Sequence, residues 1–376
     1  MYLSSDESGK TKTALSVISV IRPTATAKTT DTIFILLLIH CPIVIVIRLR
    51  QVPLHLAFRL QLKTNISILY FVVSSKPGIK YTVPERTTMK KIIITGSNGQ
   101  LGRAINKLCE SDSNYELIRT DFGVEGIQNL DITDLDQVLA LCRDVKPAAV
   151  INCAAHTNVD ACEVQQDAAY KINALGPRNL AIATRETGAK LVHISTDYVF
   201  AGDGTRPYTE FDDPAPKAMY GITKLAGENF VRQFADRFFM IRTAWLYGDG
   251  KNFVRTMLRL SETHDEISVV NDQVGSPTSA DELAKAVFAL LPTENYGLFH
   301  GTCEGQCSWA DFTKEIFRLA GKNTVVNPVT SRQYKEMNPA SADRPAYSVL
   351  ENYMLKLTGS YMFADWEKAI NEYIKG

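Results

Sequence analysis

Net charge is the first thing this 376-residue chain lacks, since 41 Lys and Arg stand against 41 Asp and Glu. With no global field to draw polyanions, nucleic acid and acidic membrane surfaces are not expected partners. A disulfide framework is missing too. The seven cysteines are odd in number and scattered, which suits a reducing, cytoplasmic compartment. Cys303 and Cys307 lie close together, but no second pair and no histidine ladder completes a zinc site, so no metal is expected. Long apolar runs are absent as well. The nearest, Ile33 to Ile47, is about 15 residues, is interrupted by His40, Cys41 and Pro42, and falls short of the roughly 20 that span a bilayer as a helix.

That run belongs to residues 1–88, which have a Thr-rich start and do not share the pattern of the rest. Met89 immediately precedes the first strand of the regular pattern, and the favoured reading is that residues 1–88 are translated from an upstream start the working protein does not use. Membrane attachment through Ile33 to Ile47 is the second reading, although no small-residue cleavage pattern follows and Ile66 to Val73 forms another, shorter apolar stretch. A folded accessory piece is the third.

Glycine is sparing but placed. Lys91 to Thr95 reads as a short buried strand, and from Gln100 the pattern turns helical through Leu101, Ile105 and Leu108. Gly96, Gly99 and Gly102 therefore sit in a strand-to-helix turn, where backbone can approach a pyrophosphate and free N–H groups face it. A second strand, Glu116 to Arg119, ends at Thr120 and Asp121, about twenty residues past the loop, where a carboxylate can bond a ribose hydroxyl. That favours NADH. Arg103 and Arg119 favour NADPH, because a guanidinium can hold the extra phosphate, and the preference stays open. Asp131 and Ile132 either reach the adenine, or Asp131 or Thr133 caps the next helix.

Tyr220 and Lys224 are four residues apart in helical sequence, so they share one face. A phenol is a poor acid unless a cation stabilises its phenolate, and Lys224 can be that cation. Tyr247 and Lys251 repeat the spacing, but Gly248 and Gly250 between them argue against a helix. Leu191 to Ser195 reads as a buried strand opening at Thr196, either a substrate-facing hydroxyl or a loop cap.

Eight ordered segments now carry a resemblance: GSNGQLG, NCAAHTNVD, ISTDYVFAG, YGITKLAGE, RTAWLYG, NFVRTML, VVNDQVGSPT and DRPAYS. From about Met89 to the C-terminus the chain resembles the extended short-chain dehydrogenases/reductases, most closely the dTDP-4-dehydrorhamnose reductases. The resemblance implies an α/β fold: a doubly wound, Rossmann-type parallel sheet over 89–246, with a smaller, mainly substrate-binding lobe over 247–376 from which late strands return to the main sheet. In that lobe Phe253 to Leu260, Ser279 to Leu291 and Trp309 to Leu319 read as helices, Ile267 to Val270 and Leu298 to His300 as strands, and Ala364 to Ile374 as an outer helix.

It also implies roles. Tyr220 would protonate the C4 oxygen of a 4-keto sugar, Lys224 would lower its pKa and hold the nicotinamide ribose, and Thr196 would bond the same carbonyl. Asn98, Gln100 and Leu101 would join the glycines, Asp121, Asp131 and Ile132 around NADPH or NADH, with Ala154 and Ala155 against its backbone side. His156 and Val159 would line the cleft toward the sugar, and Trp245, Asn271, Asp272, Gln273 and Arg344 would take the nucleotide sugar; core packing and a surface salt bridge are the bland alternatives for Trp245 and Arg344. Some similar proteins carry a glutamate at the start of the first helix that helps bind magnesium between subunits. Gly102, Arg103 and Ala104 offer none, so any homodimer is expected to form without a bridging metal. Two other outcomes fit the same segments: a nucleotide-sugar epimerase or dehydratase, and a non-catalytic regulatory subunit like the beta subunit of methionine adenosyltransferase.

Overall fold

The structure, a computed structural model, describes residues 31–38, 44–52, 89–110, 112 and 114–376. The chain divides after Arg86 into two units. In the first, Asp31–Leu38 (β1) and Val44–Val52 (β2) pair antiparallel, Leu38 opposite Val44; the other readings of residues 1–88 fall outside the described residues. Among the described residues no helix is long and apolar enough to cross a membrane.

The second unit opens with Lys90–Thr95 (β3), Gln100–Glu110 (α1), Tyr115–Asp121 (β4), Gln128–Asn129 (β5), Leu135–Val145 (α2) and Ala149–Asn152 (β6). Val159–Val164 (α3) and Gln166–Tyr170 (α4) run through a π-helical turn, Lys171–Leu175, into Gly176–Thr187 (α5), then Lys190–Thr196 (β7), Met219–Phe234 (α6) and Phe238–Thr243 (β8). Beyond these lie Leu246–Tyr247 (β9), Phe253–Leu260 (α7), Glu266–Val270 (β10), Val274–Gly275 (β11), Thr278–Ser279 (β12), Ala280–Leu290 (α8) and Gly297–His300 (β13). Cys307–Ser308 (β14), Trp309–Ala320 (α9), Val325–Val329 (β15), Ser331–Met337 (α10), Tyr353–Thr358 (α11) and Trp366–Lys375 (α12) complete it.

Seven strands form one parallel sheet in the order β13-β8-β7-β6-β3-β4-β5. From β3 the chain winds outward through β4 and β5, then crosses back to β6 and winds the other way. The strand order thus reverses between β3 and β6, the place where such sheets open a crevice at their carboxyl ends. Apolar runs explain the strands: Ile92, Ile93 and Ile94 are fully buried, and Ile94 pairs with Ile151, which pairs with Val192. Each such side chain contributes roughly 1.5–3 kcal/mol of burial. One face is covered by α1 and α8 through Leu101, Ile105, Leu283 and Val287, the other by α2, α5 and α6 through Val138, Leu180 and Val231.

Late elements reach the main sheet: β13 pairs with β8, and α8 packs in the same cluster as α1. The last helix buries Trp366, Ala369 and Ile370 in that cluster and leaves its other face toward solvent. One detail departs from the sequence reading: α2 is capped by Asp134, whose carboxylate accepts from Asp136 N and Gln137 N, while Asp131 folds back on Thr133 N and Oγ1, both at 2.8 Å.

A buried ion pair ties α6, β7 and β8 together. Glu228 on α6 accepts from Arg242 on β8 at 2.8 and 2.7 Å and from Ser195 Oγ on β7 at 2.6 Å. Both charged side chains are 0–1% exposed. Removing one partner strands the other charge in the interior, so Glu228→Gln is expected to cost about 3–5 kcal/mol, read as a lower denaturant midpoint at unchanged m-value, with Glu228→Gln/Arg242→Met milder than the single change.

Candidate active site

At the crevice a cavity of about 960 Å³ opens, lined by the glycine turn, the ends of β6 to β8 and the start of α6. Its glycines are fixed by space. Gly96 has φ +64°, and a Cβ there would meet Ala154 N at 2.7 Å; one at Gly102 would meet Gly96 O at 2.4 Å. This cradle of bare backbone against Ala154 and Ala155 fits a dinucleotide pyrophosphate.

Beside it Asp121 holds Asn98, accepting from Asn98 N at 2.8 Å and from Phe122 N at 2.9 Å. Arg103 grips the same asparagine, donating to Asn98 O at 2.8 Å and Oδ1 at 2.9 Å. Carboxylate and guanidinium thus line one end of the cavity, as do Gln100, Leu101, Asp131 and Ile132, whereas Arg119 does not. Beneath the floor, Asn152 joins three strands: Thr95 Oγ1 donates to its Oδ1 at 2.7 Å and its Nδ2 meets His193 Nδ1 at 3.0 Å. Burial holds His193 neutral, well below its ordinary pKa.

Tyr220 and Lys224 occupy successive turns of α6 and both line the cavity. A Cβ at Gly221 would meet Tyr198 O at 2.1 Å, so glycine is what lets α6 press against the turn after β7. Lys224 is 2% exposed and donates to Ile194 O at 2.6 Å. Burial lowers its pKa to about 8 against the opposing field of Glu228. Thr196 closes β7; its Oγ1 donates to Asp197 Oδ1 at 2.8 Å and accepts from Tyr198 N at 3.2 Å, and it lines the cavity together with Tyr220. Tyr198 packs edge-on against Tyr220 at 5.4 Å.

The resemblance implies a phenol whose pKa Lys224 lowers. In the structure burial raises the Tyr220 pKa above its ordinary value and Asp197 adds repulsion, while the Lys224 ammonium gives one of its three N–H groups to Ile194 O. A phenol in this state is protonated at every ordinary pH, which is the form an acid must have. Tyr247 and Lys251 make no such pair, since Tyr247 lies in a buried strand and Gly250 turns at φ +108°.

The substrate candidates separate. Val159 and Trp245 line the cavity. Trp245, at φ +48°, stacks flat on Trp309 at 3.4 Å, with Gly275 leaving room beside its ring. His156, Asn271, Gln273 and Arg344 are not on the wall. His156 turns toward Cys162 Sγ and Gln165 Oε1; Gln273 Nε2 donates to Ser331 Oγ at 2.9 Å, next to Asp272, which accepts from Ser331 N at 2.8 Å. Asn271 is exposed at the end of β10, its backbone N–H bonded to Val329 O. Arg344 donates to Ser341 Oγ at 2.7 Å and pairs with Asp160 at 3.5 Å. Trp309, Tyr198, Thr157 and Lys171 line the cavity without having been given a site role from the sequence, and Lys251, set aside there as half of a broken pair, lines it too. Among the described residues no group of His, Cys, Asp and Glu could hold a metal ion.

Residues 89–376 match the family model for the RmlD substrate binding domain. The chain belongs to the RmlD family. Among relatives, SpsK of Bacillus subtilis, a spore coat polysaccharide biosynthesis protein, is 40% identical over 290 residues, covering 76% of this chain and 98% of that protein. A dTDP-4-dehydrorhamnose reductase of Clostridium acetobutylicum is 53% identical with a TM-score of 0.72, covering 76% of this chain and 98% of its own. That of Bacillus anthracis, solved in complex with NADP, is 42% identical with a TM-score of 0.72, covering 77% and 99%. For this RmlD-family chain, Gly102→Ala is expected to weaken NADPH binding by about tenfold or more, a loss of ~1.4 kcal/mol, in a titration of bound-cofactor fluorescence.

Proposed function

We propose that this protein reduces the 4-keto group of dTDP-4-dehydro-L-rhamnose with NADPH, giving dTDP-L-rhamnose. The observation that carries the reading is the convergence of Thr196 at the end of β7 with Tyr220 and Lys224, one turn apart on α6, on the wall of one cavity, in a family whose relatives include reductases of this sugar nucleotide. NADPH, when bound, supplies the hydride. The glycine turn and the start of α1 offer N–H groups to its pyrophosphate. Arg103 is the residue for the ribose phosphate, since Asp121 already accepts from two backbone N–H groups and stands beside this guanidinium.

At the sugar end Tyr220 gives its proton to the carbonyl oxygen as negative charge develops there. Thr196 positions that oxygen, and the Lys224 ammonium stabilises the phenolate left behind. Trp245 supplies a flat apolar wall for deoxysugar or thymine. Arg344, beside Tyr198, serves the diphosphate on leaving Asp160, and His156, Asn271 and Gln273 serve the nucleotide sugar on leaving the partners they hold here. The free thiols of all six described cysteines suit a reducing, cytoplasmic setting.

The test follows NADPH oxidation with enzymatically prepared dTDP-4-dehydrorhamnose. Tyr220→Phe should lower kcat by about 10²–10⁴. Full turnover in that variant contradicts the role of Tyr220, and tight NADPH binding without turnover in either protein moves the assignment to a regulatory subunit. The pH profile carries a sign: Lys224, with pKa about 8, is charged below that value, so kcat should fall as pH rises through it.

A further inference from the structure

The bonds around Thr196 have a direction. A hydroxyl has one proton to give, and Thr196 gives it to Asp197 Oδ1. While that carboxylate is charged, Thr196 meets every other neighbour as an acceptor. A reacting carbonyl is also only an acceptor, so Thr196 has nothing to offer it. With a proton on Asp197 the order reverses: its O–H donates to Thr196 Oγ1, and the Thr196 proton turns to the carbonyl.

We propose that Asp197 is a positioning residue that sets the direction in which the Thr196 hydroxyl points, toward Asp197 or toward the reacting carbonyl, its protonated form being the one that supports reduction. This rests on the reductase reading above. The side chain is 2% exposed, lines the cavity, and keeps Oδ2 without a hydrogen-bond partner. No proton is consumed, since Asp197 keeps its own and only the orientation of the Thr196 hydroxyl changes.

The surroundings favour a neutral carboxyl. Tyr198 faces it from its own turn, Tyr220 from α6, and Ser348 from the C-terminal segment, with the Arg344–Asp160 pair beyond Tyr198. Both phenols are held neutral by burial, and among the described residues no cation pairs with Asp197. Ser348 is near enough to favour the charged form, but burial dominates and lifts the carboxyl to about 6.

The experiment compares kcat at pH 5.5 and 7.5 in the full chain and in Asp197→Asn, whose amide donates to Thr196 at any pH. A single group with a pKa of about 6 gives a ratio on the order of 20-fold in the unmodified protein. In the variant it should shrink to within about twofold, leaving only the decline near pH 8. An unchanged ratio, or loss of kcat at both pH values with melting temperature and NADPH binding intact, would overturn the proposal. The infrared carbonyl band of a buried protonated carboxyl gives a readout without substrate: it should titrate near pH 6 and vanish in the variant, and its absence from the unmodified protein also overturns the assignment. A titrating band in a protein that turns over no nucleotide sugar would sink the reductase reading, and the role built on it, instead.

Discussion

Everything at this site depends on a buried cation held against the carboxyl end of a parallel sheet. Lys224 is anchored by one carbonyl, Ile194 O, and the nearest compensating charge is Glu228 one turn along α6, itself committed to Arg242 and Ser195. Desolvation alone drives such an ammonium toward its neutral form; the field of Glu228 keeps it charged into the neutral range. The ion pair therefore does more than join α6 to β7 and β8. Its carboxylate also opposes the desolvation of Lys224 at the end of β7.

The same contact fixes distances. Because Gly221 admits the carbonyl of Tyr198, α6 reaches the end of β7, and Tyr220 joins Thr196 on the cavity wall. On the other flank the glycine turn closes on Ala154, so the glycine turn and the start of α6 line one cavity at the carboxyl end of the sheet. One wall carries bare backbone for phosphates and the other carries titratable hydroxyls. The Trp245–Trp309 stack borders the same cavity, built from elements that the main sheet does not contain.

What was legible in the sequence was what local pattern dictates. The Ile92 to Ile94 run, the glycine spacing, the Tyr220–Lys224 step and the helices from Phe253 and Trp309 are set within a few residues, and the strands and helices appear there. Contacts between distant segments were not legible. Nothing near Trp309 announces a partner 64 residues earlier, nothing near Leu298 places β13 beside β8, and no spacing shows that Ser331 draws in Asp272 and Gln273. The direction of the Tyr220 shift was also hidden, since it comes from packing and the neighbouring Asp197 rather than from Lys224 alone. Asp134 took the cap of α2 because Asp131 had a nearer partner in Thr133.

The central claim is that this cavity moves a hydride to a sugar carbon while Tyr220 supplies the proton. The most direct measurement gives the protein dTDP-4-dehydrorhamnose with NADPH deuterated at C4 of the nicotinamide on either face, and reads the product by mass spectrometry and NMR. Deuterium at C4 of dTDP-rhamnose, from one face of the cofactor only, is the expected result. A product without deuterium, or cofactor that stays bound and unoxidised beside unchanged substrate, would contradict it.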